Sequence, residues 1–193
     1  MNGRMSVKQY RIVDLFLWAV MLCLFESVTV LAATRWFPGE PYTVSVVPAI
    51  VAIVLIRWGP WAAVHAALGG AVFCLLSHGS ARQLFVYAGG NLLALLALLP
   101  LKRLGDERIR SSVWLSLAWG LAVLLLMQLG RALIALCLGA APAEAPGFFT
   151  TEAVTMLFTL VILWIVRRLD GVLEDQHHYL SRVRKETEGG GVR

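Results

Sequence analysis

Charge is what this chain has least of. Asp, Glu, Lys and Arg make up 15% of its 193 residues, hydrophobic side chains make up 59%, and the mean hydropathy is +0.73. Soluble globular domains carry about 25% charged residues, so that class is excluded. A Gly-x-x-x-x-Gly-Lys-Ser/Thr phosphate loop is missing, and with it ATP hydrolysis by that route. Gly-x-Ser-x-Gly, His-Glu-x-x-His and any cysteine cluster are missing too, which removes the familiar signatures of serine, zinc and iron–sulfur chemistry. Of the 4 histidines only His65 lies in an apolar run, so no intramembrane pair suited to haem is present. Cys23, Cys74 and Cys137 all fall in apolar runs without pairing or metal spacing and read as small packed hydrophobes. No enzymatic activity, metal or cofactor is therefore expected. The formal charge of +5 is no sign of nucleic acid, because positive-inside bias produces the same excess. The first apolar run lacks a small-residue cleavage site and is expected to be a retained helix. The two halves share no repeat, which argues against an inverted-repeat transporter.

Present instead is a series of long apolar runs between Ile12 and Val166. A spanning helix takes about 20 residues, and the runs divide into spans at roughly 12–34, 43–56, 62–76, 83–101, 113–138 and 148–166. The expected architecture is an all-α integral membrane protein of six transmembrane helices in residues 1–168, followed by a partly helical cytoplasmic tail, 169–193. The second span is short and has Pro48 within it, so it is expected to kink or to start earlier. The links are Arg35 to Pro41, the tight turn Arg57-Trp-Gly-Pro-Trp61, Ser77-His-Gly-Ser80, Lys102 to Ser112, and the breaker-rich Ala140 to Gly147.

Basic residues set the orientation. Arg4, Lys8, Arg11, Arg57, Lys102, Arg103, Arg108 and Arg110 fall on one side, joined by Arg167, Arg168, Arg182, Arg184, Lys185 and Arg193. The other side holds Arg35 and Arg82, and Arg131 lies within a span. Both termini are thus expected in the cytoplasm, in a multi-pass protein of a bacterial plasma membrane. Trp36 on one side and Trp58, Trp61 and Trp164 on the other fit interfacial belts. Small residues recur every four positions: Ala19, Cys23 and Ser27 in the first span, and Ala62, Ala66 and Gly70 in the third, with Ala63, Ala67 and Ala71 beside them. Such faces serve either packing within the bundle or docking of another membrane protein. In the tail, Leu169, Val172, Leu173, Leu180 and Val183 predict that the sixth helix continues into the cytoplasm or along the membrane surface. His177 and His178, adjacent on a helix, point about 100° apart and read as solvated.

Ionisable groups in the bilayer are costly and become the functional candidates. They are Glu26, His65, Arg131 and Glu152, accompanied by Tyr87, Asn91, Gln128, Thr150 and Thr151. Asp14 is set aside as an acid at the cytoplasmic edge, and His65 reads as a hydrogen-bonded packing residue near the inner surface. At 1.5 Å per residue Glu26 stands roughly 20 Å from the inner end of its helix and Arg131 roughly 27 Å along the fifth. Asn91 and Glu152 fall within about two turns of the outer ends of theirs. Polar groups from four helices at similar height predict a cavity open to the outside. A purely structural Glu26–Arg131 pair fits the same residues, as do Gln128 bracing Arg131 three positions away and Thr150 or Thr151 capping the sixth helix. Gly89-Gly90 before Asn91 permits close approach of a backbone or a ligand.

Six helices with both ends inside, the small-residue face Ala19, Cys23 and Ser27, and the stretch Phe85-Val-Tyr-Ala-Gly-Gly-Asn91 together resemble the substrate-binding S component of energy-coupling-factor (ECF) transporters. The resemblance spans roughly residues 12–168. It implies capture of a vitamin-like solute near the outer surface, a transmembrane coupling subunit and two ATPase subunits as partners, and an ATP site supplied by those partners. The family's first-helix pattern is Ala-x-x-x-Ala, and here its second position is Cys23. Depth and polarity place Glu26, Tyr87, Asn91, Gln128, Arg131 and Glu152 as the solute-binding set. Glu26 and Arg131 are expected to supply charge complementarity beneath the 35–43 and 140–147 loops. Two other classes share the architecture: a rod-shape morphogenesis scaffold, in which the polar set would be structural, and a membrane subunit of a redox complex, which would carry a cofactor.

Overall fold

A computed structural model describes residues 6–39 and 42–189. Arg4 and Arg193 of the basic count, and Glu40 and Pro41 of the first loop, lie outside the described residues. Among the described residues the chain is helical throughout, without strands, and it is a membrane protein by length and composition. Five helical stretches are long and apolar enough to cross a bilayer: Val7–Trp36, Val47–Leu76, Ala81–Leu104, Val113–Cys137 and Pro142–Val166.

α1 (Val7–Trp36) opens on a reciprocal cap. Ser6 Oγ accepts from the Gln9 N–H at 3.2 Å, and Gln9 Oε1 accepts from the Ser6 N–H at 2.9 Å. The stretch Val47–Leu76 is folded in two. Gly59 combines φ +58 with ψ −121, a conformation that suits only glycine, and separates α2 (Val47–Trp58) from α3 (Ala62–Leu76). The two arms pack side by side, with Gly69 set against the Val47 side chain. Pro48 does not kink α2. It sits in the first turn, where its missing N–H has no helical partner to lose.

α4 (Ala81–Leu104) starts on a second reciprocal cap between Ser80 and Gln83. It is irregular from Phe85 to Ala97, widening to π turns over Phe85–Gly89 and tightening to a 3-10 pitch over Asn91–Ala97. A short α5 (Asp106–Ser111) leads to α6 (Val113–Cys137), then α7 (Pro142–Val166), which becomes regular at Ala153. α8 (Gln176–Gly189) lies in the tail.

α2 is the axis of the bundle. All its residues from Val47 to Trp58 are buried, and it contacts α1, α3, α4, α6 and α7. Leu22, Trp119, Met127 and Leu163 close around it, and the Trp119 indole N–H donates to the Ala52 carbonyl at 3.0 Å. Lipid is as apolar as these side chains, so close packing rather than exclusion of water holds the helices together. Glycine makes that packing possible at α4. A Cβ on Gly70 would strike the Tyr87 backbone, one on Gly90 the Arg131 backbone, and one on Gly130 the Gly90 carbonyl. Of the glycine pair in α4, Gly90 thus admits a neighbouring backbone, and Gly89 meets only the Ile134 side chain.

The sixth span does not continue as one helix into the tail. α7 stops at Val166, residues 167–175 turn, and the chain folds back under the bundle with Leu173 and Gln176 fully buried. Arg57, at the end of α2, causes this. Its Nη1 donates to the carbonyls of Gly171 and Val172, while its Nε and Nη2 grip both oxygens of Asp14 at 3.0 and 2.6 Å. The Trp58 indole donates to the same carboxylate at 2.6 Å. Asp14 is therefore the centre of this end of the bundle, a part its edge position did not foretell. Tyr10 and Gln176 add a link at 3.2 Å, and Asp175 caps α8 through the N–H groups of His177 and His178. His177 is not merely solvated: its ring stands edge-on to Trp58 at 5.5 Å. Arg110 and Arg182 share Asp170 and Glu174 between the α5 link and the tail. The hydrogen bond to Asp170 holds the Arg182 guanidinium above its ordinary range.

Candidate functional site

Five of the six expected site residues form one buried cluster around Arg131. Its Nε donates to Asn91 Oδ1 at 2.8 Å, and its Nη1 to Gln128 Oε1 at 3.1 Å and Glu152 Oε1 at 2.8 Å. The guanidinium lies over the Tyr87 ring, 4.8 Å from its centroid. Each element contributes for a local reason. Gln128 and Arg131 share a face of α6 at i, i+3. The close Gly90–Gly130 crossing brings the irregular part of α4 near enough for Asn91 to reach across. Asn91 Nδ2 donates in turn to the Ala66 carbonyl of α3 at 3.0 Å. Glu152 stands at the N-terminus of the regular part of α7 and turns its carboxylate to Arg131.

Glu26 does not pair with Arg131. Its Oε2 accepts from the Ser45 hydroxyl at 3.0 Å and from the Val46 N–H at 2.9 Å, at the start of α2. A carboxylate here satisfies a free N–H and meets the positive end of the helix dipole. The alternative of a Glu26–Arg131 pair does not form; Glu152 takes Arg131 instead. Thr150 and Thr151 do not cap α7 either: their hydroxyls donate back to the carbonyls of Pro146 and Gly147. His65 Nε2 lies 3.0 Å from the Leu15 carbonyl, a packing position between α3 and α1. Three buried atoms of the polar set have no hydrogen-bond partner among the described residues: Glu26 Oε1, Gln128 Nε2 and Glu152 Oε2.

The open space lies beside this cluster and not within it. A cavity of about 720 Å³ sits between the C-terminal end of α1, residues 37–39 and 42–44, the end of α3 and the start of α7. Its walls include Val30, Thr34, Phe37, Tyr42, Phe73 and Val154. Residues 37–39 and 42–44 line it, and no residue of the 140–147 loop does. None of the six expected binding residues lines it. Aromatic stacking joins the two features: Phe73 in the wall packs on Tyr87 at 4.8 Å, and Tyr87 packs on Arg131.

Sequence reading passed over the residues that hold the cover in place. The Thr43 N–H donates to the Thr151 carbonyl at 3.0 Å, the Thr155 hydroxyl donates to the Thr43 carbonyl at 3.0 Å, and the Ser45 N–H donates to the Thr155 hydroxyl at 3.1 Å. Hydroxyls at 155 and 159, four apart in an apolar run, were the available signal. Phe73 carried none, being one apolar residue among many. Ala19, Cys23 and Ser27 are half-buried along the flank of α1, whereas its exposed stripe is Phe16, Leu24, Val28 and Leu31.

No family model, curated protein or solved structure matches the chain.

Proposed function

We propose that the chain is the substrate-capture subunit of an uptake transporter of the ECF type, taking a vitamin-like solute from the external side. Counted with α2 and α3 as separate crossings, it has six spans and both ends in the cytoplasm of a bacterial cell. A transmembrane coupling subunit and two ATPase subunits would supply the energy for release. The observation that carries this reading is the cavity under the 37–44 segment. It lies at the end of the bundle opposite the Asp14–Arg57 hub, since Val30 is roughly 24 Å beyond Asp14 at 1.5 Å per residue. Its size falls in the range of about 300–1,000 Å³ usual for small-molecule sites. Basic side chains favour the hub end as cytoplasmic, and Arg11 over Trp61 and Arg168 over Trp164 place cation–aromatic pairs there. The test is native mass spectrometry of the gently purified protein, with Val44→Trp as the filled-cavity variant. A vitamin-sized mass present in the parent and absent in the variant supports capture. A protein that carries only lipid and co-purifies with cell-wall subunits refutes it.

A scaffold is the second reading, and the closed network around Arg131 favours it. A guanidinium bonded to Asn91, Gln128 and Glu152 of its own chain has its charge balanced without a ligand. That reading leaves the external cavity without a role.

A further inference from the structure

We infer that the groove between α1 and α7 holds one acyl chain of an anionic phospholipid, with its phosphate at Arg167 and Arg168. Both helices lean on α2 and leave an apolar groove of about 480 Å³ between them. Trp18 and Phe25 of α1, Ile50 and Ile53 of α2, and Leu157 and Val161 of α7 line it. Apart from the Trp18 indole, its lining residues carry no polar side-chain group, so an occupant is held there by apolar contact. The groove runs along α7 from Leu157 to Val166, about 14 Å at 1.5 Å per residue. One leaflet of hydrocarbon is about 15 Å deep, half of a core about 30 Å thick. A single lipid tail has that reach, whereas a helix of a neighbouring subunit crosses both leaflets and would overrun the groove.

Charge at one end selects the headgroup. The Arg57 guanidinium lies over the Trp18 ring, 5.7 Å from its centroid, so this end of the groove adjoins the Asp14–Arg57 hub. Val166 closes the same end on α7, and Arg167 and Arg168 follow it directly. Asp14 balances Arg57, but neither Arg167 nor Arg168 has a carboxylate partner among the described residues. Arg168 lies over the Trp164 ring at 4.7 Å, and the Nε of Arg167 is buried without an acceptor among the described residues. A buried N–H costs free energy until an acceptor reaches it. A phosphate supplies both the acceptor and the negative charge, and guanidinium bonds it with two N–H groups at once. In the proposed orientation both arginines face the cytoplasmic leaflet, where anionic lipids give a negative surface. The inference stands apart from the capture reading, because the cavity beside Val30 shares no lining residue with this groove.

The experiment uses the full chain in nanodiscs of phosphatidylglycerol and phosphatidylcholine in equal amounts, with matched acyl chains. Native mass spectrometry raises the collision energy until the bulk lipids leave and counts what stays. One retained phosphatidylglycerol per chain is expected, favoured roughly tenfold or more over phosphatidylcholine because two guanidiniums attract it. Arg167→Gln with Arg168→Gln should erase that preference. Arg103→Gln, a basic residue on the same side but outside the groove, should leave it intact. Val161→Trp and Leu157→Trp each fill the groove from an exposed position and should abolish retention while unfolding at the parent's temperature. No retained lipid in the parent, equal retention of the two lipids, an equal loss with Arg103→Gln, or a lipid that stays in both tryptophan variants overturns the inference. So does a co-purified membrane protein that the tryptophan variants release, which would make the groove a contact between subunits.

Discussion

Arg131 pairs with Glu152 across the α6–α7 interface at 2.8 Å, both side chains being at least 95% buried, while Glu26 at the other wall holds the start of α2. One acid neutralises the buried cation and the other fastens a helix end. The cluster is thus two devices, and each makes its own prediction.

Removing one member of the Arg131–Glu152 pair leaves its partner charged and buried alone, which costs about 3–5 kcal/mol. Arg131→Ala and Glu152→Ala should each lower the unfolding midpoint in detergent markedly. The double variant Arg131→Met with Glu152→Leu should recover most of that loss. Two single losses that simply add in the double variant would contradict direct pairing.

Glu26→Leu removes the acceptor of the Val46 N–H and the Ser45 hydroxyl, a loss of about 1–2 kcal/mol. Hydrogen exchange should rise at Ser45 to Ala49. Glu26→Gln keeps an acceptor oxygen and should show a smaller rise.

At the glycine crossing, Gly90→Ala and Gly130→Ala each push a methyl into backbone, and the helices must part. Overpacking of this kind costs about 1–3 kcal/mol or more. Gly147→Ala, where a Cβ meets nothing within 4 Å, is the matched control and should unfold like the parent.

Asp14→Ala strips Arg57 of its carboxylate and frees the segment that carries Gly171 and Val172. Trypsin cleavage after Arg167 and Arg168 should accelerate at least tenfold on the full chain. The exposed Arg110–Asp170–Arg182 ties are weak and fade with salt. Arg182→Ala alone should therefore change cleavage little at 0.5 M salt, and a large effect there would move the anchor away from Arg57.

Cys137 is exposed at the C-terminal end of α6, the end the proposed orientation puts outside, whereas Cys74 is buried. In intact cells a membrane-impermeant maleimide should label Cys137 and fail to label Ser111→Cys placed in a Cys137→Ser background. The opposite pattern would invert the orientation.

Apolar run length and breaker residues made the helices legible, because lipid leaves the backbone no alternative to bonding with itself. The polar cluster was legible for a related reason: Tyr87, Asn91, Gln128, Arg131 and Glu152 are conspicuous where polar groups are rare. Three matters were not. Which acid Arg131 takes depends on how α1 and α7 are rotated, and neither sequence carries that. The break after Val166 depends on Arg57, more than a hundred residues away, capturing two carbonyls. The cavity is made by residues with no chemical mark, Val30, Phe73 and Val154, and only their arrangement leaves the space.

α2 meets no bulk lipid, since every residue from Val47 to Trp58 is enclosed by its neighbours. At 1.5 Å per residue it is about 18 Å long, against a hydrocarbon thickness of about 30 Å. A segment so short and so sheltered has no stake in how thick the bilayer is. Thinner or thicker membranes would tilt and slide the surrounding helices, and the central one would keep its length. That difference turns bilayer thickness into relative movement at both ends of α2, where Glu26 and Arg57 hold it.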